Sequence, residues 1–377
     1  MSVTAPAGFS AAGIAAGGAG RPDLALVVNH GPTLAAAGQF TGNRVKAAPV
    51  HWSQQVLRGG RVSAVLLDAA CANSCTGPLG FQDTHAAVER AARALGHNAA
   101  EIAVAATGPM GVRPAMDRLL PGVDHAAEQL SEFGGERAAR AIMTSDTQPK
   151  TAAVRGAGWT VGGMAKGSAP LAPGLATLLV VLTTDADLPA TELDRALRAA
   201  TRVTFDRIDA DGVMSTNDTV LLLASGAAGT TPEPAEFAAA VESVCADLAR
   251  QLVRDVEGAT KEVLVEVVHA ASEADALAVG RAVAGNAQVK RAVRAEVADW
   301  PGVLAAVGAT GAAFEPHRLA VAVNGVWVCR DGAPAAAVAE VDLRFREVTL
   351  TVDLAAGDRS AALRTTDLTA APAARAR

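Results

Sequence analysis

Short apolar runs broken by glycine, proline and small polar residues alternate along this chain with stretches of helical periodicity. Leu24–Val28 (LALVV), Val62–Leu67 (VSAVLL), Ile102–Ala106 (IAVAA) and Thr177–Thr184 (TLLVVLTT) are short, apolar and partly β-branched, the pattern of buried strands. Weaker or shorter strands are expected over Thr33–Phe40, Trp159–Met164, Val220–Ala224 and Val263–Val268, and Val348–Leu354 alternates as a half-buried strand does. Leu319–Cys329 reads as a hairpin turning at Asn324-Gly325. Helices are expected from a cap at Thr84 to Leu95, over 123–143 with a break at Gly134-Gly135, from Pro189 to Phe205, from Pro234 to Val256 and from Glu273 to Val283. The Ala/Gly-rich stretch 11–23 reads as a loop or the approach to a hairpin. Strands alternating with helices predict an α/β protein with layered sheets flanked by helices.

Composition narrows this picture. With 377 residues the chain can bury two cores or one large one. Half of it is hydrophobic but only 3% is aromatic, so the cores must be built from Ala, Val and Leu. Tyrosine is absent, which excludes a tyrosine general acid. A net charge of −6, with no basic run, argues against nucleic acid as a partner. Cys71, Cys75, Cys245 and Cys329 make no Cys-x-x-Cys and no dense framework, which points to a reducing, cytoplasmic setting and to no metal site. The first residues lack the charged and apolar regions of a signal peptide, and no uninterrupted apolar run reaches membrane-spanning length.

Four stretches carry candidate chemistry. Residues 165–179 (AKGSAPLAPGLATLL) are a small-residue, proline-punctuated loop feeding an apolar strand, with Thr177 at the junction. Such a hydroxyl can attack the preceding Ala176-Thr177 peptide, and the freed α-amine can then act as its base. The plain alternative is a threonine favoured at a strand start. Thr107-Gly108, on a bend after an apolar strand, can offer two donors to an oxyanion or can be an ordinary turn. Arg44 and Lys46 either hold an anion or are solvated. The Asp-rich segment 209–219 lacks the acidic spacing of a calcium loop and reads as turn and capping residues.

Several segments fall in one order: Phe40-Thr41-x-Asn43-Arg44-Val45-Lys46-Ala47-Ala48-Pro49-Val50, Cys75-Thr76-Gly77-Pro78, Gly80-Phe81-x-Asp83-Thr84-His85-Ala86, Thr107-Gly108, Ile142-Met143-Thr144-x-Asp146, Lys166-Gly167 leading to Ala176-Thr177, Ser215-Thr216-Asn217-Asp218-Thr219 and Glu257-Gly258-Ala259-Thr260-Lys261. As a set, over roughly residues 5–370, this resembles the ornithine acetyltransferase (glutamate N-acetyltransferase) family of arginine biosynthesis. The resemblance implies a fold of the self-cleaving, N-terminal-nucleophile type. It implies an α chain of residues 1–176 and a β chain of 177–377, assembled as α2β2. Thr177 is then the nucleophile, Thr107 and Gly108 the oxyanion hole, and Thr144, Lys166, Thr177 and Glu257 the substrate contacts. The implied reaction moves acetyl from N-acetylornithine to glutamate through an acetyl-threonine, without a cofactor, and leaves acetyl-CoA open as a second donor. For Lys166 taken by itself, a solvated loop lysine is the default.

The chain departs from the family pattern at Asp68-Ala69-Ala70-Cys71, at Ala169-Pro170, at Val297–Val303, and in the tail AAPAARAR, where a segment bearing an Asn and a hydroxyl contact is expected. Loss of those two contacts is expected to weaken turnover. Two other functions remain open on the sequence: an impaired homologue with a binding or assembly role, and a related acyltransferase or aminopeptidase with another substrate.

Overall fold

The structure, a computed structural model, describes residues 2–16, 20–167, 178–209, 214–335 and 338–368. These fall into two compact units, one made of residues up to 167, 178–205 and 214–255, the other of 206–209 and 256–368.

In the first unit the chain runs β1 (Phe9–Ile14), β2 (Leu24–Asn29), β3 (Ala36–Phe40), α1 (Ala48–Val56), β4 (Ala64–Asp68), α2 (Gly77–Leu95), β5 (Ile102–Ala106), α3 (Met116–Glu128), α4 (Gly135–Ala141), β6 (Lys150–Arg155), β7 (Thr160–Lys166), β8 (Leu179–Thr184), α5 (Ala190–Val203), β9 (Thr219–Ala224) and α6 (Pro234–Arg254). One sheet has the order β1-β2-β4-β5, the other β3-β9-β8-β7-β6. The β4–β5 and β8–β9 pairs are parallel and the rest antiparallel.

Strand parity explains the layering, because successive side chains leave a strand on opposite faces. Ala25 and Val27 of β2 share a core with Leu179 and Val181 of β8 and Leu221 and Leu223 of β9. Leu24, Leu26 and Val28, one residue out of phase, pack with Val88 and Ala91 of α2 and Val123 of α3. Helices α5 and α6 pack against the five-stranded sheet. On α6 the buried Phe237, Val241, Val244, Leu248 and Leu252 recur every three or four residues, the stripe a sheet-covering helix needs. Both sheets are therefore covered on two faces, and their strands read as continuous apolar runs.

The second unit continues with β10 (Glu262–Ala270), α7 (Glu273–Ala284), α8 (Ala287–Arg294), α9 (Trp300–Gly308), β11 (Ala320–Val323), β12 (Val326–Arg330), β13 (Ala333–Pro334), β14 (Glu347–Asp353) and β15 (Arg359–Thr366). Its sheet has the order β13-β12-β11-β14-β10-β15, with only β10–β14 parallel. Val263, Val265 and Val267 of β10 alternate into a core with Val279 and Val283 of α7 and Val307 of α9.

The mixed α/β class with helix-flanked sheets follows the sequence pattern, and so does the hairpin, whose Asn324 and Gly325 both have positive φ. Several local expectations are corrected. The stretch read as a loop or hairpin approach begins within strand β1, which pairs antiparallel with β2, and Gly134, where a Cβ would collide with the Ala11 carbonyl oxygen, lets the 131–134 turn hydrogen-bond back to Ala11. Helix α2 begins seven residues before Thr84, which is not a cap: its hydroxyl bonds the Gly80 carbonyl inside the helix. Helices α1 and α9 each accommodate a proline in the first turn, where no amide hydrogen is missed. Strands β6 and β15 and helix α8 were not expected from the pattern. Among the described residues no helix is long and apolar enough to cross a membrane.

Candidate active site

The register of the five-stranded sheet gathers the site. Lys166, the last residue of β7, pairs with Leu179 of β8, and Leu179 pairs with Thr219 of β9. On the other side of β7, Ala165 pairs with Lys150, the first residue of β6. One sheet edge thus carries two lysines, the start of β8 and the start of β9. Asp218, just before β9, accepts a hydrogen bond from the Leu178 amide at 2.8 Å, and the Thr219 amide donates to the Leu178 carbonyl at 2.9 Å. The chain is therefore clamped one residue after position 177. Ala176 and Thr177 themselves lie outside the described residues, as do Ala169, Pro170 and the C-terminal tail.

Lys166 is 1% exposed, which overturns the solvated-loop alternative. Desolvation pushes its ammonium down to about 8, the Lys150 and Arg21 charges add to that, and the Asp146 and Asp218 carboxylates oppose it. Its Nζ donates to the Thr107 hydroxyl at 3.4 Å. Lys150 is buried between two carboxylates, donating to Asp146 at 2.7 Å and Asp255 at 2.6 Å. Burial pushes the Asp146 carboxyl upward, but the Lys166 and Lys150 charges and its hydrogen bonds from Lys150 and Thr144 hold it below the usual carboxylate range.

Thr107 and Gly108 follow β5. The Thr107 amide donates to the Asp68 carbonyl at 2.8 Å, so it is the hydroxyl that remains for chemistry. That hydroxyl accepts from Lys166, which leaves its own hydrogen to be donated elsewhere. Gly108 has φ +129°, and a Cβ there would stand 2.9 Å from the Ala70 carbonyl carbon and oxygen and from the Cys71 nitrogen. Only glycine fits, so this bend is specified rather than incidental. Asn217 fixes it from behind: its Nδ2 donates to the carbonyls of Ala106 (2.9 Å) and Ala72 (2.7 Å). The departure at residues 68–71 forms the wall behind the bend. Asp68 is driven up to about 7 by desolvation against its hydrogen bond from Ala70, and burial pushes the Cys71 thiol up to about 11.

The structure thus brings Thr107, Gly108, Thr144 and Lys166 into the first unit with Asp146 and Lys150 beside them. Glu257 belongs to the second unit, half-buried in a turn where the Ala259 amide donates to the Val256 carbonyl. Arg44 and Lys46 line a cavity of about 410 Å³ with His51, Cys75, Thr76 and Phe81. Cys75 is exposed. Among the described residues no three His, Cys, Asp or Glu side chains gather as a metal site requires. The sequence shows Asp146 only as part of a motif, Asn217 and Asp218 as motif residues within a turn and capping segment, and Lys150 with no role. Their signal was a charged or amide residue immediately beside a strand end, which turns and caps also produce.

Fold and site together define a layered α/β protein with an enclosed lysine–carboxylate cluster beside a threonine–glycine bend. The chain belongs to the ArgJ family, whose model matches residues 7–371. It is 62% identical over 372 residues to the arginine biosynthesis bifunctional protein ArgJ of Streptomyces coelicolor, covering 98% of this chain and 97% of that one. The protein of the same name from Thermobifida fusca is 56% identical over 371 residues, with 98% and 97% covered. Among solved structures, ornithine acetyltransferase from Mycobacterium tuberculosis, complexed with ornithine, is 55% identical over 46% of this chain and 96% of that chain, with a TM-score of 0.44.

Proposed function

We propose that this chain is an acyltransferase of arginine biosynthesis that moves acetyl from N-acetylornithine to glutamate. The observation that carries the proposal is 62% identity over nearly the full length to a bifunctional ArgJ protein, with Lys166 and Thr107 in contact in the candidate site. In this mechanism the Thr177 hydroxyl attacks the Ala176 carbonyl and the peptide C–N bond breaks, leaving an ester; a water hydrolyses that ester, giving an α chain of 1–176 ending in a carboxylate and a β chain of 177–377 with its hydroxyl and α-amine free. The freed α-amine, with an unperturbed pKa of about 8, takes the hydroxyl proton as Thr177 attacks the acetyl carbonyl. The oxyanion is met by the Thr107 hydroxyl and the Gly108 amide. The C–N bond to ornithine breaks, the leaving amine takes the proton, and the glutamate amine then attacks the acetyl ester in a ping-pong exchange. Lys166 and Thr144 receive the substrate on the first unit, and Glu257 pairs with an ammonium. The proposed assembly is α2β2 and the proposed setting the cytoplasm, and acetyl-CoA is the second donor left to be tested.

The test is mass analysis of the denatured protein together with an assay of N-acetylglutamate formed from N-acetylornithine and glutamate. A fragment beginning at Thr177 and transfer activity are expected, and Thr177→Ala is expected to lose both. Transfer retained by Thr177→Ala would overturn the mechanism. Hydrolysis of N-acetylornithine without transfer to glutamate would favour a hydrolase instead. Replacing N-acetylornithine by acetyl-CoA, with glutamate kept as the acceptor, tests the second donor, and sedimentation tests the assembly.

A further inference from the structure

Asp146, which is not among the substrate contacts expected from the sequence, joins several pieces of the candidate site. Its side chain is fully buried. Oδ2 accepts the Thr144 amide at 2.9 Å and meets the Thr144 hydroxyl at 3.5 Å. Oδ1 accepts the Lys150 ammonium at 2.7 Å and the Gly167 amide at 3.0 Å. An ionised carboxylate offers about four acceptor positions, and these four donors use them all. One side chain therefore fixes the Thr144 loop, the first residue of β6 and the residue that follows Lys166.

The charges around it balance in a particular way. Lys150 is shared between Asp146 and Asp255, the latter at 2.6 Å and also holding the Thr147 amide at 2.9 Å. Lys166 is a second cation acting on Asp146, and Lys150, Asp218 and Arg21 are the other charged groups acting on Lys166. We propose that Asp146 is the positioning residue of this site: it sets Thr144 and the Gly167 main chain in one arrangement and supplies the negative charge against which the Lys166 ammonium is held. The arrangement stands by itself; its consequence for substrate rests on the acyl-transfer mechanism, in which Lys166 must be charged to receive a carboxylate. Geometry places the two side by side, since Asp146 holds the amide of Gly167, next to Lys166, and the ammonium of Lys150, whose register partner Ala165 precedes Lys166; each is also the largest favourable charge acting on the other.

Asp146→Asn keeps the size of the side chain and removes the charge. In protein carrying ¹³C-labelled lysine, with the Lys166 resonance assigned from Lys166→Arg, the wild-type ammonium is expected to titrate near pH 8. In Asp146→Asn that midpoint is expected to fall by about one unit or more, the effect of withdrawing a nearby opposite charge. A fall of one unit roughly halves the charged fraction of Lys166 at pH 7, so KM for N-acetylornithine should rise about twofold there, and more for a larger fall, with a smaller change in kcat, and recover as the pH is lowered. A folded Asp146→Asn variant with an unmoved Lys166 midpoint would overturn the proposal. If that variant does not fold, the wild type decides. The ¹³C carboxylate resonance of Asp146 should shift in the same step as Lys166, and a flat Asp146 across that step would equally overturn it. Both titrations need no substrate, so a failure of the acyl-transfer mechanism would show as absent turnover with the coupling intact.

Discussion

Each unit buries a lysine at the end of a central strand, and the two are treated differently. Lys261 stands just before β10 in the second unit and is 4% exposed. Its Nζ donates to Glu296 at 2.8 Å, to the Phe345 carbonyl at 3.1 Å and to the Leu343 carbonyl, one acceptor for each of its three hydrogens. It ties together main chain that is far apart in sequence. Lys166 closes β7 in the first unit, meets the Thr107 hydroxyl at 3.4 Å, and is pushed down to about 8 by desolvation. The first holds a sheet together, whereas the second is kept in a medium that disfavours its charge. A buried charge held at a cost to the fold is what a binding or catalytic group requires, though structural networks can show it too.

Replacing each lysine by methionine breaks or sharpens this contrast. Lys166→Met should lower kcat/KM for acetyl transfer at least a hundredfold, about 3 kcal/mol or more, because a buried substrate carboxylate loses its partner. Its effect on stability should have the opposite sign. The folded-state value of Lys166 lies below the ordinary 10.5, so keeping the ammonium in the fold carries a penalty that is full at neutral pH and fades as pH rises from about 8 through 10.5, the window in which folding releases a proton. Removing the amine should therefore raise the urea midpoint at pH 7, within a ceiling of about 3 kcal/mol. A large loss of stability would show that Lys166 is a structural lysine after all.

Asp68 gives the same unit a second pH signature. Its carboxyl is raised from 3.8 to about 7, with desolvation the leading cause, the Ala70 amide opposing and Asp23 adding. A raised carboxylate means that the folded state binds the extra proton, so stability should fall as pH rises from about 4 through 7 and level off above. Asp68→Asn keeps an acceptor for the Ala70 amide and removes the titration. Its urea midpoint should be flatter over that window and higher than wild type at pH 8, by no more than about 4 kcal/mol. An unchanged slope would place the titration elsewhere.

Lys261→Met should act only on the fold. It strands two main-chain carbonyls and one carboxylate, and a loss of about 3 kcal/mol in urea unfolding at neutral pH is expected. Transfer by the fraction that remains folded should fall far less than in Lys166→Met. An equal fall would erase the contrast between the two lysines.

How far the sequence foretold these regions follows from the same chemistry. Continuous apolar runs such as LALVV and IAVAA are legible because both faces are buried, and the Asn324-Gly325 turn is legible because few dipeptides tolerate two positive φ angles. Strand β6 was hidden because it starts on a lysine, and Lys150 is buried only because Asp146 and Asp255 come to meet it. The burial of Lys166 was hidden for the same reason: a lysine followed by Gly167-Ser168 looks solvated until the sheet register encloses it. Helix α9 begins inside the segment that departs from the family pattern, yet Asp299 caps it through the Gly302 amide in an ordinary way. Electrostatic partners that are distant in sequence leave no periodic trace, whereas hydrophobic faces do.

Backbone strain offers the smallest and sharpest comparison. In the first unit Gly108 holds φ +129° against the Ala70 carbonyl, where a methyl group has no room. In the second unit Ala355, just after β14, holds φ +48° with a side chain present. A left-handed conformation costs an L-residue about 1–2 kcal/mol, and the greater freedom of glycine in the unfolded chain returns about 0.5–1 kcal/mol of that. Ala355→Gly should therefore stabilise the protein slightly, by about 0.5 kcal/mol, read as a small rise in the urea midpoint with no change in transfer rate. The strain at Ala355 is then simply tolerated, whereas the bend at Gly108 is required by the Ala70-Cys71 main chain packed against it. A measurable loss of activity in Ala355→Gly would show instead that the second unit also uses strain for function, and the division drawn between the two units would have to be abandoned.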